Sequence, residues 1–115
     1  MALRVFRVDR DFTDWPILDG PGVARMVVGP ESGARFRSMH YLALSPGTAT
    51  RSLCHEEAES VYYIAAGVGE IKDIASLESA PLHPGSMILV PPTVEYVLHA
   101  GGSEDMIVVG GPCNG

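Results

Sequence analysis

The sequence predicts an all-β domain made of many short strands. Its 115 residues include thirteen glycines and nine prolines, which cluster at turns such as Gly20-Pro21-Gly22, Ser45-Pro46-Gly47 and His83-Pro84-Gly85. Between these turns, apolar and polar residues alternate with a period of two, and many apolar residues are β-branched or aromatic. Such segments are typical of sandwiches and barrels. With 46% hydrophobic residues, the chain can bury one modest core, and we expect a single domain over residues 1–115.

The N-terminal third is expected to supply two strands. Residues 3–8 alternate apolar and basic side chains, which predicts a first strand at a sheet edge. Residues 11–22 have the composition of a loop, and Trp15 is the side chain expected to pack this loop down. Residues 23–28 predict the second strand.

The remaining two thirds predict about seven or eight further strands and almost no helix. Residues 36–44 form a long third strand in this interpretation, and His40, Leu42 and Leu44 share one of its faces because side chains alternate across a strand. Residues 51–55 are expected to be short and extended. The other predicted strands cover residues 59–65, 67–73, 86–90, 94–100 and 105–109.

Charge and hydropathy exclude two classes of partner. The formal net charge is −6 and no basic cluster occurs, whereas a nucleic-acid partner requires a concentrated positive face. No apolar run approaches the roughly 20 residues that span a bilayer, and the first ten residues lack a signal-peptide core. Cys54 and Cys113 fit neither a disulfide framework nor a zinc spacing. These observations favour a cytoplasmic protein.

Two blocks of the sequence resemble the two motifs of the cupin family, in the family's order and separation. The first block opens at Gly47 and closes with residues 59–69, and the second covers residues 85–96 with Pro91 at the family's proline position. The resemblance extends over about residues 36–109, to which residues 1–35 add N-terminal strands. It implies a cupin-type double-stranded β-helix, or jelly-roll, barrel that binds its ligand at the barrel mouth.

The family's metal ligands are carried over only in part. In cupins, two histidines and a glutamate of the first motif and a histidine of the second usually bind a metal ion. The matching positions are Leu53, His55, Ser60 and Tyr96. One ligand of four is therefore retained. A rearranged site built from His55, Glu59 and His40 could still bind Fe, Zn, Ni or Mn, because catalytic sites need about three protein ligands. The alternative is a barrel that has lost its metal.

The polar residues of the two motifs suit acid–base chemistry. We expect His55, Glu59 and Tyr96 to be catalytic: a neighbouring carboxylate would raise the pKa of His55 towards neutrality, and the phenol would orient a carbonyl or hydroxyl group. Alternatively, the acidic residues next to His55 form a solvated face. The side chains expected to line the pocket are His40, Leu53, Glu57, Ser60 and Tyr62.

Two functions from different classes remain open. The first is an enzyme that acts on a small organic molecule as an isomerase, cyclase or lyase; an iron dioxygenase fits the weakened ligand set less well. The second is a non-catalytic module that binds a small ligand. A purely structural role explains the polar pocket residues poorly. The resemblance also implies a homodimer, in which residues 3–8 pair with a neighbouring chain.

Overall fold

The all-β prediction is confirmed. The structure is a computed structural model that describes residues 2–113, so Met1, Asn114 and Gly115, which the predicted domain includes, lie outside the described residues. Within residues 2–113 the chain forms eleven strands and one short 3-10 turn, Pro30–Ser32, and no helix there is long and apolar enough to cross a membrane. The strands are β1 (Thr13–Asp14), β2 (Leu18–Asp19), β3 (Gly22–Val28), β4 (Met39–Leu44), β5 (Ala49–Thr50), β6 (Ser60–Ala66), β7 (Gly69–Asp73), β8 (Ser79–Leu82), β9 (Met87–Val90), β10 (Tyr96–Ala100) and β11 (Met106–Pro112).

The strands form two antiparallel sheets that face each other. One sheet has six strands in the order β1-β3-β4-β11-β6-β9, and the other has five in the order β2-β5-β10-β7-β8. A single cluster of buried side chains fills the space between them. Leu42, Ile64 and Val108 enter it from the six-stranded sheet, and Leu98 and Ala100 enter it from the five-stranded sheet. All five are fully buried, and such burial stabilises a fold by roughly 1.5–3 kcal/mol for each large aliphatic side chain.

Strand alternation determines which side chains enter the interior. Along β6, Ser60, Tyr62 and Ile64 are buried, whereas Tyr63 and Ala65 are exposed. Along β4, His40 shares the buried face with Leu42, as the period of two predicts. The interior therefore receives polar groups from the first residues of β4 and β6.

The predicted first strand is wrong. Residues 3–8 form no strand and pair with no other segment of residues 2–113. Leu3 and Val5 are 75% and 81% exposed, so the alternation marks no buried face. The edge of the six-stranded sheet is instead occupied by β1, where Thr13 lies opposite Met26. A strand needs a neighbour for its backbone groups, and the position beside β3 is already taken.

Other boundaries differ from those predicted. The loop expected over residues 11–22 contains the two-residue strands β1 and β2. Strand β4 begins at Met39 rather than at residue 36, and β11 continues to Pro112 rather than ending at residue 109. Strand β8 was not predicted, because Pro81 and three exposed residues out of four conceal the strand pattern. It lies at the edge of its sheet, where proline is tolerated.

Candidate functional site

Five polar side chains meet inside one end of the molecule. They come from the first residues of β4, β6 and β10 and from the loop between β5 and β6. They are His40, His55, Ser60, Tyr62 and Tyr96. Four of them are at most 8% exposed, and His55 is partly exposed. Buried polar groups are normally hydrogen-bonded, so their partners show whether this cluster is structural or reactive.

The two tyrosines form a buried pair that joins the sheets. Tyr62 lies on β6 of the six-stranded sheet and Tyr96 on β10 of the five-stranded sheet. Their hydroxyl oxygens are 2.6 Å apart, and the ring centroids are 6.0 Å apart at an interplanar angle of 57°. Burial raises the pKa of both phenols, and the nearby Ser60 hydroxyl opposes part of that rise. Both tyrosines therefore remain protonated and act as hydrogen-bond donors and acceptors.

The two histidines are held in their neutral form. Burial and, to a smaller extent, the charge of the nearby His55 lower the pKa of His40 to about 4. Burial also lowers the pKa of His55. The imidazole of His40 contacts the edge of the Trp15 ring at a centroid distance of 4.3 Å. Nδ1 of His40 and Nε2 of His55 are buried without a hydrogen-bond partner in the structure.

Two consecutive glycines of β11, Gly110 and Gly111, lie between the two halves of this cluster, and we call them the glycine strip. Gly110 on β11 lies opposite His40 on one side and Tyr62 on the other. Its φ is +143°, and a Cβ there would overlap the carbonyl oxygen of Val61. A Cβ at Gly111 would lie 2.9 Å from the carbonyl oxygen of Ser38 and 3.4 Å from Nδ1 of His40. Gly110 therefore allows β6 to approach closely, and Gly111 keeps a side chain away from the unpaired nitrogen of His40.

Two hollows reach the cluster from opposite flanks. The first, which we call the His40 cavity, has a volume of about 440 Å³. The second, the Tyr96 cleft, has a volume of about 360 Å³ and lies where the edges of β8 and β9 separate. The His40 cavity is lined by Phe6, Phe12, Met26, Val28, Ser38 and His40, among others. The Tyr96 cleft is lined by Ile71, Asp73, Ile88, Val90, Val94 and Tyr96, among others.

The structure brings together only part of the predicted site. Leu53 is buried and exchanges two backbone hydrogen bonds with Tyr96, at 2.8 and 2.9 Å. Glu57 and Glu59 are exposed. The hypothesis that a neighbouring carboxylate raises the pKa of His55 is wrong, because that pKa is lowered by burial. The acidic residues of this loop form the solvated face that was the alternative interpretation.

The residues present do not fit the metal ion that the resemblance implies. Leu53 offers no donor atom, and the raised pKa of Tyr96 disfavours a phenolate ligand. Glu59, the carboxylate of the rearranged site, is exposed and does not join His40 and His55 in a ligand set. Among residues 2–113, no group of three or more His, Cys, Asp or Glu side chains is placed to hold a metal ion. Two neutral imidazoles are fewer than the three protein ligands that catalytic sites usually supply.

Several residues of the site were missed by sequence reasoning. Gly110 and Gly111 follow the strand predicted to end at residue 109, although they lie on the central strand β11. Their pairing with two strands depends on the sheet order, which no local pattern reveals. Phe6 and Phe12 reach the site from the N-terminal segment. Trp15 was expected to anchor the loop, and the structure adds that it does so against His40.

One curated protein is clearly related to this chain in sequence. L-ectoine synthase of Desulfatibacillum aliphaticivorans is 31% identical over 93 residues, which make up 81% of this chain and 70% of that protein. No protein-family model matches the chain. The relationship extends over most of both proteins, so it concerns the whole fold and not one motif.

Solved structures confirm the cupin-type double-stranded β-helix. A predicted oxalate decarboxylase from Thermotoga maritima superposes with a TM-score of 0.80 at 19% identity and covers 96% of this chain and 99% of its own. The polyketide cyclase RemF of Streptomyces resistomycificus gives 0.76 at 21% identity, covering 99% and 81%. A Cupin 2 conserved barrel domain protein from Salinispora arenicola gives 0.74 at 18% identity, covering 97% and 89%. At these identities the likeness concerns the fold.

Proposed function

Because this chain belongs to the cupin family, we propose that it is an enzyme that carries out acid–base chemistry on a small organic molecule between its two sheets. The reaction type is an isomerisation, a ring closure or an elimination next to a carbonyl group. The relationship to L-ectoine synthase, which is named as an enzyme of small-molecule synthesis, supports this class of function. The substrate of that relative is not transferred to this chain.

The observation that carries the proposal is the pair of unpaired imidazole nitrogens. His40 Nδ1 and His55 Nε2 are buried and have no hydrogen-bond partner. Leaving a buried polar atom unpaired costs roughly 1–3 kcal/mol, so a purely structural interior would favour apolar residues at both positions. A ligand that supplies the missing partner offsets this cost. The same two groups are neutral at pH 7, which leaves each imidazole able to accept a proton.

Each residue has a role that follows from its protonation state. Neutral His55 accepts a proton from the carbon next to the substrate carbonyl. The Tyr96 phenol, which is held protonated, donates a hydrogen bond to the carbonyl oxygen, where negative charge develops. The proton then returns to another carbon in an isomerisation, or to the leaving group in an elimination. His40 orients the substrate through its free ring nitrogen, and the mechanism proposed here assigns no step to Glu59, whose side chain is exposed.

The second candidate function is a binding module without catalysis. The same unpaired nitrogens would then hold a ligand that leaves unchanged. Saturable binding without product would be its signature, so turnover separates the two functions.

The test is a screen of small carbonyl compounds for turnover, followed by NMR in deuterated buffer, in which proton abstraction appears as deuterium incorporation. We expect His55→Gln to lower the rate by about 10²–10⁴-fold, the usual contribution of a general base. Tyr96→Phe should also slow the reaction. The matched control is His83→Gln, because His83 is exposed and lies outside both hollows.

Two results would contradict the proposal. One is a His55→Gln variant that retains the full rate on a substrate turned over by the wild type. The other is activity that disappears with a chelator and returns only with an added divalent ion, because the acid–base roles described above need no metal.

We also propose that the chain forms a homodimer through the outer face of β6 and β9. Tyr63, Met87 and Leu89 are 40%, 78% and 63% exposed, and Tyr63 lies directly opposite Met87 across the two strands. Strand β9 is also an edge of its sheet, so its free backbone groups are available for pairing. An apolar patch at a strand edge is a common interface between protein chains.

A further inference from the structure

The His40 cavity has the size and shape of a small-molecule site. Its volume of about 440 Å³ falls within the roughly 300–1,000 Å³ of typical ligand pockets. One wall comes from the N-terminal segment, including Phe6 and Phe12, and the other from the end of β3 and the turn after it, including Met26 and Val28. His40 lies at the inner end, where the cavity meets the polar cluster.

The lining of this cavity is mostly apolar and includes two aromatic rings. Phe6, Phe12 and several aliphatic side chains supply its apolar part, Thr13 and Ser32 are among its polar residues, and none of the lining residues is an arginine or a lysine. Of the two acidic residues in the lining, Asp11 is bound by Arg10 at 2.8 Å, and Glu31 is exposed at the rim. A bound anion would therefore lose water without gaining a cation in return.

Two arginines stack on the aromatic rings that line the cavity. The guanidinium of Arg25 lies 4.1 Å from the centre of the Phe12 ring, and its Nη1 donates a hydrogen bond of 2.9 Å to the carbonyl oxygen of Val8. Arg4 lies 5.6 Å from the centre of the Phe6 ring. Neither guanidinium lines the cavity, so both cations contact the rings and place no positive charge on the cavity surface.

A polar contact is available at the inner end. His40 is only 8% exposed, and its Nδ1 has no hydrogen-bond partner. Trp15 packs against the same imidazole at 4.3 Å. The site therefore combines an apolar body with one unused polar group.

We propose that the His40 cavity binds an uncharged, largely apolar or aromatic small molecule with a polar group that hydrogen-bonds to His40, and that it excludes anions. Insofar as this ligand is the substrate, the inference rests on the proposed function. It adds the class of molecule that the enzyme takes and assigns the N-terminal segment to the binding site.

The test uses two fluorescent probes that differ by one charge. N-phenyl-1-naphthylamine is uncharged, and 1-anilinonaphthalene-8-sulfonate carries the same ring system with a sulfonate. Each is titrated into the full chain, and binding is followed by probe emission and by quenching of Trp15, the only tryptophan of the sequence. We expect one site per chain for the uncharged probe, strong quenching of Trp15, and at least tenfold weaker binding of the sulfonate.

The matched variants are Phe6→Ala and Phe36→Ala. Both phenylalanines are stacked by an arginine, at 5.6 Å for Arg4 on Phe6 and 5.5 Å for Arg35 on Phe36. Only Phe6 lines the cavity, whereas Phe36 is 68% exposed and lines neither hollow. We expect Phe6→Ala to weaken binding of the uncharged probe several-fold and Phe36→Ala to leave its affinity unchanged. Unfolding midpoints of both variants confirm that they fold.

The inference and the proposed function fail in different ways. Equal affinity for the two probes, or an effect of Phe36→Ala equal to that of Phe6→Ala, overturns the inference. Turnover of a carbonyl compound without any binding of the uncharged probe also overturns it and leaves the proposed function standing. Phe6-dependent probe binding in a protein that turns over no carbonyl compound supports the inference and removes the catalytic proposal.

Discussion

At the scale of single residues, the interior site consists of buried polar side chains, only some of which have a hydrogen-bond partner in the fold. The hydroxyl groups of Tyr62 and Tyr96 hydrogen-bond to each other, whereas His40 and His55 each leave one ring nitrogen without a hydrogen-bond partner. The first pair contributes to stability through its hydrogen bond. The second pair costs stability because each imidazole leaves a buried nitrogen unpaired, and in acid because burial disfavours its charged form. Both effects can be measured separately.

The phenol pair predicts non-additive stability changes. Tyr96→Phe removes one hydroxyl and leaves that of Tyr62 buried without its partner, which costs about 1–3 kcal/mol in the free energy of unfolding. Replacing both tyrosines by phenylalanine should cost clearly less than the sum of the single changes. The measurement is urea unfolding of the two single variants and the double variant.

Tyr63→Phe is the control for this cycle, because Tyr63 is adjacent in sequence and 40% exposed. Its change should stay within about 0.5 kcal/mol. If the losses of unfolding free energy in the two single Tyr→Phe variants add up to the loss in the double variant, the hydrogen bond between the phenols does not contribute to stability.

The lowered pKa of His40 predicts loss of stability in mild acid. The pKa is about 4 in the folded chain and about 6.5 in an unfolded one. Above pH 6.5 the residue is neutral in both states. Between pH 6.5 and 4 only the unfolded state binds the proton, so the free energy of unfolding falls as pH falls, by up to about 3 kcal/mol. His55 adds a change of the same sign.

We expect His40→Phe to flatten this dependence, measured as the difference in unfolding free energy between pH 7 and pH 4.5. His83→Gln, at an exposed position, should behave like the wild type. An equally steep acid dependence in His40→Phe would assign the effect to other groups.

At the scale of elements, β11 is the strand that makes the site possible. It lies between β4 and β6, and its two glycines occupy the space between the residues that those strands contribute. The N-terminal segment adds a second element, because Arg25 on β3 binds Val8 and stacks on Phe12. The site is thus assembled from segments far apart in the chain.

The glycine strip predicts a large difference between two alanine substitutions. At Gly110 a Cβ would overlap backbone of the neighbouring strand β6, and φ is +143°. We expect Gly110→Ala to destabilise the fold by several kcal/mol, because backbone atoms cannot move aside. At Gly47, φ is also positive, at +86°, but nothing lies within 4 Å of the added Cβ, so Gly47→Ala should cost only about 1 kcal/mol.

Thermal unfolding of the two variants provides the measurement. Equal losses at the two positions would show that backbone strain alone, and not the approach of β6, requires glycine at 110.

At the scale of the whole molecule, the fold follows from patterns that a sequence displays well. Alternation along β4 and β6 identifies which side chains point inwards, so the sequence alone places His40, Ser60 and Tyr62 in the interior. The period of two does not tell whether a partner strand exists, which is why residues 3–8 were misinterpreted.

The candidate site was harder to predict than the fold, because part of it lies outside regular strands. Glu57 and Glu59 follow His55 in a loop, where no period fixes the direction of a side chain, and they face solvent. The His40 cavity forms when Phe6 and Phe12 approach β3 and β4. Such long-range contacts leave no local signature in the sequence.

The proposed dimer is testable at this scale by sedimentation equilibrium. We expect the wild type to have the mass of two chains at micromolar concentration. Met87→Lys introduces a charge into the apolar patch on β9 and should give single chains. Leu77→Lys is the control, since Leu77 is 68% exposed in the loop between β7 and β8. A wild-type protein with the mass of one chain would contradict the proposed interface.

The position of the phenol pair has a consequence for how a substrate enters. Tyr62 and Tyr96 belong to opposite sheets, so the contact between them clasps the two layers at the end where the reactive groups lie. Where the Tyr96 hydroxyl donates to Tyr62, the substrate oxygen of the proposed mechanism replaces Tyr62 as its acceptor. In that arrangement the hydroxyl of Tyr62 holds the position of the substrate oxygen until a substrate binds, and binding exchanges one hydrogen-bond partner for another.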